Sequence, residues 1–263
     1  MLREVTGDEA RRASRHWWDA ESADYLAEHG ADIGDVDFLW CPEGLREDDA
    51  RLLGDPSALA GLSVLEVGCG SAPVSRWLAR HGARPVGLDL SGAMLRRGAE
   101  IGRRTAIEVP LVQADAVRLP FASDAFDLAV SSFGAIAFVA DPAAVMREVA
   151  RVLRPGGRWV FSTNHPMRWV LPDSPYARDL RVRSSYFDQR AYVEADAADR
   201  AVYVETHRTM SQRVRDLLGA GFVLDDLIEP EWVTGNDRTW GQWSPERGAL
   251  VPGTVIFSAH LPA

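Results

Sequence analysis

Between residues 62 and 165, short apolar runs alternate with longer stretches of helical periodicity. Val64-Leu65-Glu66-Val67 reads as a buried strand, and Pro73 opens a helix to about Arg80, with Gly82 beyond its end. Val86-Gly87-Leu88 predicts a second strand, and Ser91 is placed to cap a helix reaching about Arg103. Leu111-Val112 and Leu128-Ala129-Val130 predict a third and a fourth. Asp141-Pro142 pairs a capping acid with a first-turn proline. The helix they start carries Met146, Val149, Ala150 and Leu153 at i, i+3, i+4 and i+7. Pro155-Gly156-Gly157 is expected to turn the chain into a fifth strand, Trp159 to Ser162. Strands alternating with helices of this length imply right-handed crossovers and a doubly wound, mostly parallel α/β sheet.

The flanks follow other rules. Asp8 to Gly30 reads as a helix or helix pair bearing Trp17, Trp18, Tyr25 and Leu26; a looser segment runs to Arg46, and a short helix is expected from Glu47 to Leu53. Residues 1–60 are therefore expected to form a helical cap on a domain covering 61–263. Residues 166–207 fit neither rhythm and predict an inserted hairpin or lid, with the β-favouring run Ala201-Val202-Tyr203-Val204 as one of its strands. A helix near Thr209 to Leu218 precedes Phe222–Ile228 and Val255–Phe257. No helix separates those last two strands, which predicts an antiparallel final pair.

Charge narrows the chemistry. The chain has 263 residues and a formal charge of −9, and all 29 basic residues are arginine. Without lysine, a P-loop lysine and a Schiff base are excluded. An acidic chain is poorly suited to gripping a nucleic-acid backbone. Cys41 and Cys69 match neither a disulfide framework nor a metal-ligand spacing, so no metal is expected. Met1 to His16 is too polar for a secretory signal. The longest stretch free of charge and histidine, Leu128 to Ala140, is 13 residues and too short to span a bilayer. The expectation is a cytoplasmic protein with no membrane segment; its oligomeric state is open.

The sharpest local feature is Glu66-Val67-Gly68-Cys69-Gly70-Ser71-Ala72-Pro73. Glycines after a strand let the backbone turn tightly and approach a ligand at the next helix N-terminus. The dinucleotide fingerprint requires a third glycine where Pro73 stands. Asp89 and Asp115 close the second and third strands, so Glu66, Asp89 and Asp115 fall at one edge of the sheet, the edge where open α/β sheets bind ligands.

On these residues the chain resembles the class I S-adenosylmethionine-dependent methyltransferases, in the small-molecule branch that includes ubiquinone-biosynthesis-type enzymes. Glu66-x-Gly68-x-Gly70 is similar to the first family motif, Gly87-Leu88-Asp89-Leu90-Ser91 with Met94-Leu95 to the second, and Ala114-Asp115-Ala116 followed by Leu119-Pro120-Phe121 and Phe126-Asp127 to the third. Leu153-Arg154-Pro155-Gly156-Gly157 resembles the turn before the fifth strand. The resemblance is tight over residues 60–165 and loose over 208–259, and Ala72-Pro73 departs from it where many relatives have another glycine. It implies a seven-stranded, Rossmann-like methyltransferase sheet with an antiparallel last strand. It also implies a cofactor site for S-adenosylmethionine: Gly68, Cys69 and Gly70 with Glu66 at the methionine part, Asp89 on the ribose, and Leu90, Met94, Asp115 and Ala116 around the adenine. Ser131, at the end of the fourth strand, and Tyr25, from the N-terminal helix with His29 near it, complete the expected set.

Methyl transfer from a sulfonium is an in-line displacement, and a base is needed only if the acceptor loses a proton. Ser131-Ser132-Phe133-Gly134 lacks the Asn/Asp-Pro-Pro-aromatic run of relatives that methylate nucleobase amines. With the −9 charge this points to a small organic acceptor and no nucleic acid; an RNA or protein acceptor, or a non-catalytic cofactor-binding partner, is the alternative. The acceptor pocket is expected from the N-terminal helix, residues 133–138, residues 165–207 and residues 230–252, where aromatic residues concentrate. His165, Glu205 and His207 are the candidate bases: His165 directly follows the fifth strand, and the other two share one face of a strand.

Overall fold

The computed structural model describes residues 1–263. Strand β1 (Leu2–Arg3) precedes a 27-residue helix, α1 (Gly7–Ile33). Thr6 Oγ1 accepts from the Glu9 amide at its start, and Gly34 ends it at φ 73°. Helix α2 is shorter than expected, Glu47–Ala50, because Arg51 turns left-handed at φ 52° and Glu47 folds back to accept from the Leu52 and Leu53 amides.

The rhythm predicted after residue 62 is present. β2 (Ser63–Val67) leads to α3 (Pro73–Arg80), β3 (Arg84–Asp89) to α4 (Gly92–Thr105), then come β4 (Leu111–Gln113), β5 (Phe126–Ser132), α5 (Pro142–Val152) and β6 (Leu153–Asn164). Ser91 caps α4 by accepting from the Met94 amide, and Asp141 caps α5 by accepting from the Ala144 amide. One expectation is corrected here. Pro155-Gly156-Gly157 does not separate helix from strand; it lies inside β6. The excess residues are absorbed where Phe126 pairs with Leu153 but Leu128 pairs with Arg158, a bulge against β5.

Residues 166–207 contain two short 3-10 turns and a hairpin, β7 (Ala191–Ala195) and β8 (Ala201–Glu205), to which β1 adds a third strand. The chain closes with α6 (Met210–Gly219), β9 (Val223–Ile228), α7 (Pro245–Gly248) and β10 (Thr254–His260). The main sheet has seven strands in the order β4-β3-β2-β5-β6-β10-β9, with β10 antiparallel to both neighbours.

Both faces of this sheet are covered, as near-continuous apolar strands require. Leu65 and Val67 enter a core with Val145, Val149 and Leu217 from α5 and α6. Val64, one residue out of phase, enters a second core with Phe38, Trp40, Val74 and Trp77. Full burial of each such side chain stabilises the fold by about 1.5–3 kcal/mol. The segment after α1 is thus a wall of the second core: Phe38, Trp40, Cys41, Leu53 and Leu59 are all buried.

The strand order changes direction between β2 and β5. The chain steps outward through β3 and β4 on one side, then restarts on the other. Such a switch point leaves a crevice between the loops that follow the two strands.

Candidate functional site

The loops after β2 and β5 meet at that crevice with no room to spare. Gly68 has φ 71°, and a Cβ there would lie 2.6 Å from the Ala135 amide nitrogen and 2.7 Å from Gly134 Cα. Only glycine lets the two backbones pass this closely. Gly70, at φ 53°, has nothing within 4 Å of a would-be Cβ, so the loop is open on that side. Ala72 takes the left-handed conformation at φ 61° and hands the chain to Pro73, the first residue of α3; this is how the Ala72-Pro73 departure is accommodated. Phe133 and Ala135 also stand at positive φ, so backbone strain is concentrated around the crevice.

A cavity of about 350 Å³ opens from this junction. Its first end is lined by Glu66, Gly68, Cys69, Gly70, Asp89, Leu90, Met94, Asp115 and Ala116. Asp89 is fixed by two backbone donors, Gly70 N–H to Oδ2 and Ser91 N–H to Oδ1, both at 2.8 Å. Burial pushes its carboxyl up, and those two amides oppose the shift. Glu66 is buried at the end of β2 and accepts from the Ser75 amide at 2.7 Å and the Ser75 hydroxyl at 2.5 Å, both on Oε2. Burial pushes its carboxyl up to about 7. Its Oε1 carries no hydrogen bond from the protein, which leaves one carboxylate oxygen for a cationic ligand. A glycine loop with open space at Gly70 and acids at three strand ends suits a ribose and a cationic amino-acid group.

Helix α1 is latched over this end. Asp19 Oδ1 accepts from the Ser91 hydroxyl at 2.7 Å and the Ala93 amide at 2.9 Å, putting a carboxylate on the N-terminus of α4. Its small residues Ala10 and Ala13 pack on Ala191, Val193 and Val204 of the hairpin. Trp17 and Trp18, between those two attachments, and Tyr25 and His29, beyond Asp19, line the cavity. Tyr25 and His29 rings are 5.0 Å apart, and His29 stacks on Trp240 at 4.0 Å. Burial pushes the Tyr25 phenol up and the His29 imidazole down, so both are neutral at pH 7.

The other end of the cavity holds Asn164, Arg168, Tyr203 and Glu205 among aromatic rings. Glu205 is buried and fully engaged. Arg168 Nη1 donates to Oε1 at 2.7 Å, the Asn164 amide donates to the same oxygen, and the Tyr203 hydroxyl donates to Oε2 at 3.2 Å. The Arg168 guanidinium lies 5.1 Å from the ring centres of both Trp169 and Trp243. Trp17 packs edge-on to Tyr203 at 5.1 Å, and burial with the nearby Glu205 charge raises the Tyr203 phenol, which stays protonated.

Three of the expected site residues lie outside this cavity. Ser131 is fully buried beneath it, with its hydroxyl donating to the Val67 carbonyl at 2.7 Å; its neighbour Ser132, one residue further along β5, takes the place at the wall. His165 turns to Glu229, Nε2 to Oε1 at 2.8 Å, and accepts the Met167 amide on Nδ1. His207 gives Nε2 to the Tyr186 carbonyl at 2.8 Å. Neither histidine lines the cavity, so neither is placed as an acceptor-side base. Sequence reasoning also passed over Arg168, Asn164 and Tyr203. The one available signal was Tyr203, which shares its strand face with Glu205.

Residues 65–161 match a family model described as a methyltransferase domain. A solved S-adenosylmethionine-dependent methyltransferase from Mesorhizobium loti is 28% identical and superposes with a TM-score of 0.62 over 80% of this chain and 99% of that one. Over this domain the chain is similar to the class I S-adenosylmethionine-dependent methyltransferases. Among curated proteins, a demethylmenaquinone methyltransferase from Corynebacterium kroppenstedtii is 35% identical over 60% of this chain and 62% of its own length. One from Mycolicibacterium paratuberculosis is 46% identical over 39% of this chain and 43% of its own length. The chain thus matches less than two thirds of the length of these curated relatives. S-Adenosylmethionine is the family's cofactor, and the glycine loop, Asp89 and the free oxygen of Glu66 fit it. No helix of the chain is long and apolar enough to cross a membrane.

Proposed function

We propose that this protein transfers the methyl group of S-adenosylmethionine to a small organic acceptor of aromatic or quinol type. The observation that carries the reading is one continuous cavity, running from the Gly68–Gly70 loop and Asp89 to the Asn164, Arg168, Tyr203 and Glu205 cluster. The names of the curated relatives support a quinol-like acceptor. So does the wall at the second end, where Trp17, Phe138 and Trp243 surround a few convergent polar groups. Arg168 is the one arginine lining the cavity, and it is committed to Glu205, which does not suit a nucleic-acid backbone.

When bound, the cofactor supplies a methyl group already activated on a sulfonium. The residues that would hold it are Gly68, Cys69, Gly70 and Glu66 at its methionine part, Asp89 at its ribose, and Leu90, Met94, Asp115 and Ala116 at its adenine, with Tyr25 on the covering helix. The protein's remaining work is alignment and proton handling. Tyr203 donates its hydroxyl hydrogen to Glu205, so the Tyr203 oxygen can accept from an acceptor hydroxyl. Glu205 is then the candidate acceptor-side base, taking that proton through Tyr203 while Arg168 and Asn164 keep its carboxylate in place. Residues 1–60 and 166–207 serve as the cap and lid that exclude water from this end.

The test is calorimetry with S-adenosylhomocysteine, followed by labelled methyl transfer to a panel of extractable hydroxynaphthoquinols. Binding and transfer are expected, with transfer lost in Tyr203→Phe while binding persists. A wild-type protein that does not bind overturns the cofactor site. Binding without transfer to any acceptor, in a complex with no space beside the cofactor's sulfur, overturns the enzymatic reading.

A further inference from the structure

A second group of polar side chains lies outside the cavity, behind its acceptor wall. Along β6, alternate residues face opposite sides, so Thr163 faces away from Asn164, towards the layer that α6 covers. Arg213 of α6 is 2% exposed, and its Nε, Nη1 and Nη2 meet no acceptor in the protein. Arg76 shows the usual solution for an equally buried arginine: Nε donates to the Asp35 carbonyl at 2.6 Å and Nη1 to the Gly98 carbonyl at 3.1 Å. Arg213 has no such carbonyl and no carboxylate. Its nearest acids are already engaged, Asp216 by the Gln212 amide and Glu205 by Arg168. A buried cation without a counter-charge is strongly unfavourable, and native proteins pair it.

His207 lies within reach of the Arg213 charge and has a buried, unbonded Nδ1; the Trp169 ring, whose Nε1 is also buried and unbonded, is 5.7 Å from that of His207. Burial and the Arg213 and Arg208 charges hold His207 below the usual histidine range. We propose that Arg213, Trp169 and His207 bind a small oxyanion, a carboxylate or sulfate-like group, at the junction of α6, the hairpin and the end of β6. None of the three lines the cavity, so this site is separate from the acceptor site.

The tautomer of His207 sets how the site works. Nε2 faces the Tyr186 carbonyl, which only accepts, so Nε2 carries the hydrogen and neutral Nδ1 bears a lone pair. Nδ1 donates to an anion only after gaining a proton. Binding therefore takes up one proton on His207, and affinity rises as pH falls. The charged and titratable groups facing His207 are Arg208, Arg213, Asp188 and Tyr186; His165, bonded to Glu229, also lies within reach of Arg213. Trp169 and His207 belong to the insertion and Arg213 to α6, so a bound anion ties the insertion that carries Arg168, Tyr203 and Glu205 to α6.

The experiment is calorimetric titration of the full chain with sulfate and with acetate, at pH 6 and pH 8 and in two buffers of different ionisation enthalpy. The wild type is expected to bind one or both anions, more tightly at pH 6, with proton uptake. Arg213→Met should lose at least tenfold in affinity and, in anion-free buffer, raise the melting temperature by removing an uncompensated charge. Arg213→Lys should retain weaker binding. A wild type that binds neither anion, an Arg213→Met variant that binds equally well, or one with a lowered melting temperature in anion-free buffer would each overturn the site. S-Adenosylhomocysteine binding, measured in the same samples, reports separately on the proposed function.

Discussion

The two ends of the cavity are built on different principles. At the first end, the acids are met by donors of the adjoining loops and helix: Asp89 by the Gly70 and Ser91 amides, Glu66 by Ser75 in the first turn of α3. These groups are held before any ligand arrives, and the glycine loop is pinned by contact with a neighbouring loop. At the second end, a buried ion pair between Arg168 and Glu205 is closed by Asn164 from the end of β6 and by Tyr203, two residues before Glu205 on β8. The first arrangement is rigid because the backbone is crowded; the second is specific because charges are paired.

The largest test of that division is Gly68→Ala. A Cβ there meets backbone rather than a flexible side chain, at a positive φ, so a loss of stability of about 3 kcal/mol or more is expected in thermal or denaturant unfolding. Gly70→Ala has open space and should cost only ~1 kcal/mol, falling instead on cofactor affinity. Equal stability losses at the two positions would mean that the crowding at Gly68 is not what holds the loop. Next comes Asp89→Ala. Hydrogen bonds to a charged group are worth roughly 1.5–3 kcal/mol, so S-adenosylhomocysteine affinity should fall about 100-fold while the fold persists. A loss under tenfold would move the anchor elsewhere.

This contrast also explains what could be read from the chain alone. The sheet, its antiparallel end, the glycine loop and the acids at the strand ends are local patterns, and each is written within about ten residues. The acceptor end draws on residues near 17, 138, 164–168, 203–205 and 243, and no spacing links them. His165 and His207 suggested a base by residue type. Their direction was decided by partners that no short-range pattern predicts, Glu229 and the Tyr186 carbonyl. The buried Arg213 was equally hidden, because an arginine on an amphipathic helix ordinarily reads as surface.

The third test is pH. Glu66 is raised to about 7 by burial, so the neutral form dominates below that value. In the unliganded fold this favours stability at low pH. The contribution is full below the ordinary range of an unfolded glutamate and is lost as pH rises through about 7, on the order of 3 kcal/mol in all. Cofactor affinity should run the other way, since a cationic ligand favours the carboxylate. Calorimetry from pH 5.5 to 8.5 is expected to show affinity rising roughly tenfold and levelling above about 7, with Glu66→Gln flat across the range. A flat wild-type profile would remove Glu66 from contact with the ligand's charge.

The smallest effect separates support from contact. Ser131 sits under the crevice, its hydroxyl donating to the Val67 carbonyl at 2.7 Å and to the Gly134 carbonyl at 3.2 Å, and so joins the ends of β2 and β5. Ser131→Ala removes that tie without opening the cavity and should cost about 1 kcal/mol of stability. Cofactor affinity should change by less than threefold, because the strands on either side carry their own ladder bonds. A larger change in affinity than in stability would show that the switch point itself, and not only the loops above it, is tuned to the ligand.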